Sequence, residues 1–169
     1  MVGGTLTALL GGLFHWWPKM FGRMYNDFLG RIGCFLVFAG FNLTFFPQFV
    51  MGARGMPRRY ATYDPEYQIF HIWSTVGACV LGIGIVMSFG VLYYAAKRGP
   101  KCGANPFGAA SLEWQSSSPP DFHNFVHNPV MSDPYDYESM VYDEELDTYV
   151  HREFADPATV PPRREPVHH

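Results

Sequence analysis

Arg54, Arg58 and Arg59 fall within one stretch, FFPQFVMGARGMPRRY (45–60), that separates two long hydrophobic segments. Three guanidinium groups are costly there. An arginine at the middle of a bilayer costs about 3 kcal/mol even on the lenient insertion scale, so such groups lie at an interface, face an anion, or both. Arginine stays charged at any working pH and pairs bidentately with carboxylates. The neighbours Arg58 and Arg59 could therefore each hold one carboxylate and stabilise its ionised form. Pro57, just before them, fixes one backbone angle and narrows the directions in which they can point. Charge alone favours a plainer reading, a topogenic loop whose arginines are solvated among headgroups, over an anion clamp.

Other residue types offer less. His123 and His127 have the i, i+4 spacing of a helical metal site, but Asn124, Asn128 and Pro129 argue against a helix there, and a solvated tail is expected. His15 and His71 stand near the ends of apolar runs as interfacial hydrogen-bonding groups, and His168 and His169 close the chain, where any metal binding is adventitious. Cys34, Cys79 and Cys102 have no metal-like spacing, and the first two sit in apolar segments where a thiol acts as a small hydrophobe. Neither a catalytic residue nor a metal ligand is assigned.

The elements that carry these residues divide the chain in two. Residues 1–98 hold eight Lys/Arg and three Asp/Glu, whereas residues 99–169 hold four Lys/Arg and twelve Asp/Glu. A basic, apolar part thus precedes an acidic, proline-rich tail. Three spans are predicted, at about 1–17, 28–46 and 67–96. The first is short against the ~20 residues a crossing needs and resembles a helix lacking its first turns. Glycines at 3, 4, 11 and 12 suit a packing face, Trp16 and Trp17 an interface, and Pro18, Lys19 and Arg23 a stop. In the second span Asn42 suggests an interhelical hydrogen bond; in the third, Tyr93 and Tyr94 mark an interface and Trp73 an anchor. No signal peptide is read at the start. The positive-inside rule sets Lys19, Arg23, Arg31 and the tail on the cytoplasmic or matrix side, and the arginine loop outside. The expected class is an all-α membrane protein of three transmembrane helices, the first one truncated, with an irregular acidic tail at 99–169. Lipid and other membrane subunits are the expected partners, and no nucleic acid.

The string FNLTFFPQFVMGARGMPRRYATYDP (41–65) resembles the segment joining the last two transmembrane helices of subunit I of the haem–copper terminal oxidases, the cytochrome c oxidase family. Leu112-Glu113-Trp114 and Ser118-Pro119-Pro120 are similar to motifs soon after that family's last helix. The resemblance covers about residues 1–127 and tips the balance toward the clamp: it implies that Arg58 and Arg59 bind haem propionates. It also implies that the haem-iron ligands, copper ligands and proton-channel residues belong to earlier helices, so that copper is not ligated by this chain. The isolated chain is then expected to be inactive. The aromatics of FFPQF and Trp73 could pack beside the cofactor. The implied enzyme passes electrons from cytochrome c to oxygen and translocates protons, in a bacterial inner membrane or, alternatively, a mitochondrial one. The resemblance also implies that these spans form the end of a larger helix bundle, with the remaining helices of subunit I and the other oxidase subunits as partners. Two alternatives stay open: a quinol-dependent oxidase of the same class, and a membrane-anchored assembly or adaptor protein with an acidic docking tail.

Overall fold

The computed structural model describes residues 2–59, 61–125, 128–129, 133–144 and 146–153. A π-helical turn, Val2–Leu6, leads into α1 (Thr7–Phe21), followed by α2 (Asp27–Ala53), a 3-10 turn at Pro65–Tyr67 and α3 (Gln68–Arg98). Beyond α3 come 3-10 turns at Leu112–Gln115 and Tyr137–Ser139 and two short strands, β1 (Met140–Asp143) and β2 (Thr148–His151). The chain divides into two compact units, residues 1–14 with 25–97, and residues 15–24 with 98–169.

Small residues hold the first unit together. Along α2 the buried positions include Gly33, Val37, Gly40 and Thr44; along α3 they include Ser88, Leu81, Gly84 and Gly77. They pair antiparallel, Gly33 with Ser88, Val37 with Gly84, Gly40 with Leu81 and Thr44 with Gly77. The backbones nearly touch. A Cβ on Gly40 would lie 2.4 Å from the Leu81 nitrogen, and one on Gly77 2.5 Å from the Thr44 nitrogen. Without a strong hydrophobic drive inside a bilayer, this close approach is how two apolar helices gain dispersion energy and bring polar groups together. Ser74 Oγ donates to the Thr44 carbonyl at 2.9 Å and accepts from Gln48 Nε2 at 2.8 Å, a link between the helices. Asn42 does not make one: its amide donates to the Phe38 carbonyl of its own helix at 2.8 Å.

Two helices, Asp27–Ala53 and the continuous run Pro65–Arg98, are long and apolar enough to cross a membrane, and only 22% and 33% of their apolar windows are buried inside the chain. Such open apolar surface distinguishes them from the core helices of a water-soluble fold. The α1 helix has 15 residues and does not reach that length.

Helix ends differ from expectation in two places. Pro47 is buried inside α2, which continues past the predicted end at 46 to Ala53. A proline removes one N–H and crowds one carbonyl; polar groups of a neighbouring helix make that tolerable in an apolar setting. Pro18 likewise lies inside α1, and the helix stops instead at Gly22, which has φ +61° and donates to the Pro18 carbonyl at 2.8 Å.

The second unit gives the tail more regular structure than its composition suggests. β1 and β2 pair antiparallel with Met140 opposite His151 and Asp143 opposite Thr148. Val141 is buried, as are Ala110 and Trp114. Asn105 joins the hairpin to the preceding loop. Its backbone N–H donates to Thr148 Oγ1 at 2.8 Å, its carbonyl accepts from the Tyr149 N–H at 3.1 Å, and its side chain bonds both polar backbone groups of Ala109. Residues 154–169 lie outside the described residues.

Candidate functional site

The arginine loop begins where α2 must find partners for its last carbonyls. It does so by a Schellman motif: the Met56 N–H bonds the Met51 carbonyl at 3.2 Å and the Gly55 N–H bonds that of Gly52 at 3.1 Å. Gly55 has φ +86°, a conformation that only glycine adopts without strain. Pro57 follows directly, where the helix cannot resume. The loop ends at Asp64, which precedes Pro65 in the first position of the 3-10 turn into α3.

Between these fixed points Arg58 and Arg59 are exposed and, among the described residues, have no hydrogen-bond or ion-pair partner. Arg59 has φ +58°, a left-handed conformation that costs a residue with a Cβ about 1–2 kcal/mol. Arg54 is different. Its guanidinium carbon lies 5.1 Å from the centre of the Phe70 ring, and its carbonyl accepts from the Tyr67 hydroxyl at 3.3 Å. All three arginines are exposed, and the pair singled out by sequence differs from Arg54 in having no ring beneath it among the described residues. On the far side of the loop the Tyr63 ring packs 4.2 Å from His71, centroid to centroid. Trp73, Phe46 and Phe49 are each more than half exposed, on open helix faces beside the loop's two ends. Two adjacent, open guanidiniums fit a ligand bearing two carboxylates.

Lys19, read from sequence as a topogenic charge, is a buried anchor in the second unit. Its ammonium donates to the carbonyls of Ser116 at 2.7 Å and Ala104 at 3.0 Å, with Ser117 at 3.4 Å. It also lies 5.2 Å from the centre of the Trp114 ring. Burial pushes its pKa down to about 8, against the smaller pull of Cys102 and Glu113. Burial also raises the pKa of the Cys102 thiol. Around this anchor His15 stacks on Phe107 at 5.7 Å and meets Trp114 edge-on at 5.3 Å. Sequence reasoning missed Lys19 because its partners are backbone carbonyls 85 to 98 positions away.

Among the described residues no three His, Cys, Asp or Glu side chains are grouped to hold a metal ion. His123 is exposed in a turn; its proposed companion His127 lies outside the described residues, as do His168 and His169. All three cysteines are free thiols, Cys34 and Cys79 exposed on their helices.

Residues 1–80 match the family described as cytochrome c and quinol oxidase polypeptide I. Cytochrome c oxidase subunit 1 of Synechocystis is 44% identical over 138 residues, which cover 81% of this chain and 25% of that protein. The subunit 1 of a Bacillus species is 41% identical over 134 residues, 78% of this chain and 22% of that protein. The haem–copper oxidase subunit I+III of Aeropyrum pernix is 40% identical over 132 residues, 78% of this chain and 16% of that protein. The chain thus spans about a quarter or less of the length of these curated relatives. With the matched family model and the level of identity in agreement, the chain belongs to the family of haem–copper oxidase subunit I polypeptides.

Proposed function

We propose that the chain is the C-terminal portion of subunit I of a haem–copper terminal oxidase and that Arg58 and Arg59 hold the propionates of its haems. The observation that carries this reading is the pair itself: two adjacent, exposed guanidiniums without partners among the described residues, on a loop fixed at both ends. When bound, the haem supplies the electron-carrying iron. The work of this chain is to hold and orient its carboxylates. A guanidinium within hydrogen-bonding distance favours the ionised carboxylate and adds positive charge near the haem, which raises its affinity for an electron.

In the complete enzyme α1 is the end of a third membrane helix, and α1, α2 and α3 pack against the remaining helices of subunit I. The arginine loop faces the outer side and the tail the cytoplasm of a bacterial cell. The enzyme takes electrons from cytochrome c, the donor that the names of its relatives carry, reduces oxygen and translocates protons. The missing helices supply the iron and copper ligands.

The test is the double substitution Arg58→Gln with Arg59→Gln in the assembled complex. Loss or displacement of the haem absorption bands is expected; bands and turnover equal to those of the parent would overturn the assignment. Turnover with reduced cytochrome c against turnover with a quinol decides the electron donor.

A further inference from the structure

We propose that Tyr67 is the positioning residue of the arginine loop, acting through Arg54. The inference rests on the reading of Arg58 and Arg59 as propionate ligands, and neither Tyr67 nor Arg54 needs to touch the ligand. The Schellman motif uses the carbonyls of Met51 and Gly52, and the carbonyl of the C-cap residue Arg54, just beyond α2, has no helical partner. The Tyr67 hydroxyl reaches it at 3.3 Å from a ring that is only 8% exposed, with the neighbouring Glu66 carboxylate as a second acceptor for the same hydroxyl. The bond is long for O–H···O, so it needs the packed ring and a second contact beside it. That contact is the Arg54 guanidinium 5.1 Å over Phe70, three residues after Tyr67. The stacked charge also lies at the C-terminal end of α2, where the helix dipole favours a cation.

These two contacts join the residue at which the loop leaves α2 to the turn at which it enters α3. Tyr63 against His71 ties the second half of the loop to the same helix. The segment that carries Arg58 and Arg59 is therefore an arch with both feet fixed, and its ordering cost is met before any anion arrives. The left-handed Arg59 agrees with this, since such a conformation persists where the surroundings over-determine it.

Tyr67→Phe in the assembled oxidase tests this, because it keeps the ring and removes the donor. Hydrogen exchange of the amides at 54–64, haem content per complex and the haem midpoint potentials are the measurements. Full haem content, about fivefold faster exchange in the loop and a midpoint potential moved in the same direction as in the Arg58→Gln, Arg59→Gln double variant are expected. Unchanged exchange and potential with full haem would overturn the proposal. If the arginine double variant leaves the potentials unmoved, the propionate reading fails, and the exchange rates of Tyr67→Phe alone still decide whether the tie exists. Should Tyr67→Phe fail to assemble, Phe70→Leu keeps the hydroxyl and removes only the ring under Arg54. Faster loop exchange in that variant supports the tie, and parental exchange overturns it.

Discussion

Removing the Lys19 ammonium takes one shared donor from the carbonyls of Ala104, Ser116 and Ser117, and among the described residues only Ala104 keeps another, from Ser118 Oγ at 3.2 Å. Lys19→Met fills similar space without a donor, so the packing of residues 104–118 is expected to weaken by about 1–3 kcal/mol, the cost of leaving buried acceptors unpaired. Limited proteolysis of the assembled complex measures it: cleavage in this segment rises in the variant, and equal cleavage rates would show that the anchor contributes little. The pH dependence has a definite sign. With Lys19 at about 8 in the folded chain and 10.5 in the unfolded one, both forms are protonated below pH 8 and the group adds no slope. Between pH 8 and 10.5 the unfolded chain binds more protons than the folded one, so this group's contribution to stability rises with pH across that window. Protection of the segment in the parent, relative to Lys19→Met, is expected to increase from pH 8 to 10; a relative decrease would contradict the assignment.

At the scale of elements the contact between α2 and α3 decides whether the membrane part forms. A side chain at Gly77 meets the backbone of Thr44 at 2.5 Å and has no flexible neighbour to displace, whereas Gly82 on the same helix has no neighbour within 4 Å. Gly77→Val is therefore expected to force the helices apart at a cost of about 3 kcal/mol and to lower the yield of assembled complex. The yield of the variant, read as haem per unit of purified membrane protein, checks the pairing; a yield equal to the parent's would contradict it. The Ser74 link belongs to the same contact, because its donor and acceptor meet only when Gly77 and Thr44 lie this close. One helix end follows the same logic of local geometry. The Schellman motif at Gly55 allows α2 to run through Pro47 and still stop at a defined place, which puts the arginine pair three and four residues after the positive-φ glycine.

For the molecule as a whole, two apolar helices are mostly open and the chain matches about a quarter of its relatives' length, which supports the proposed place inside a larger bundle. The purified chain alone is expected to show no haem absorption band, because the proposed arginine pair binds carboxylates and not iron. A stoichiometric six-coordinate haem spectrum from it would contradict this. Intact mass of the polypeptide that contains YATYDPEYQIF (60–70), measured from native membranes, separates two architectures. A mass near 19.2 kDa within an oxygen-reducing complex means a subunit divided between two chains, and a much larger mass means one continuous subunit.

The sequence by itself determined the two long apolar helices and the arginine loop between them. These are consequences of composition and spacing within a few turns of chain, where the cost of charge in an apolar phase and the stop at Gly55 act locally. Only the tertiary structure decided what Arg54 meets: the Phe70 ring lies under its guanidinium and the Tyr67 hydroxyl bonds its carbonyl, contacts that the spacing of the loop does not reveal. It also decided that Pro18 and Pro47 lie inside helices, where local propensity alone expects a stop. Lys19 and the tail hairpin were hidden because their partners are distant in sequence. A buried ammonium is recognisable only once its distant carbonyls are in place, and the four-residue strands TYVH and MVYD, too short to stand out by pattern, are stabilised by pairing with each other and by the Asn105 bonds to Thr148 and Tyr149.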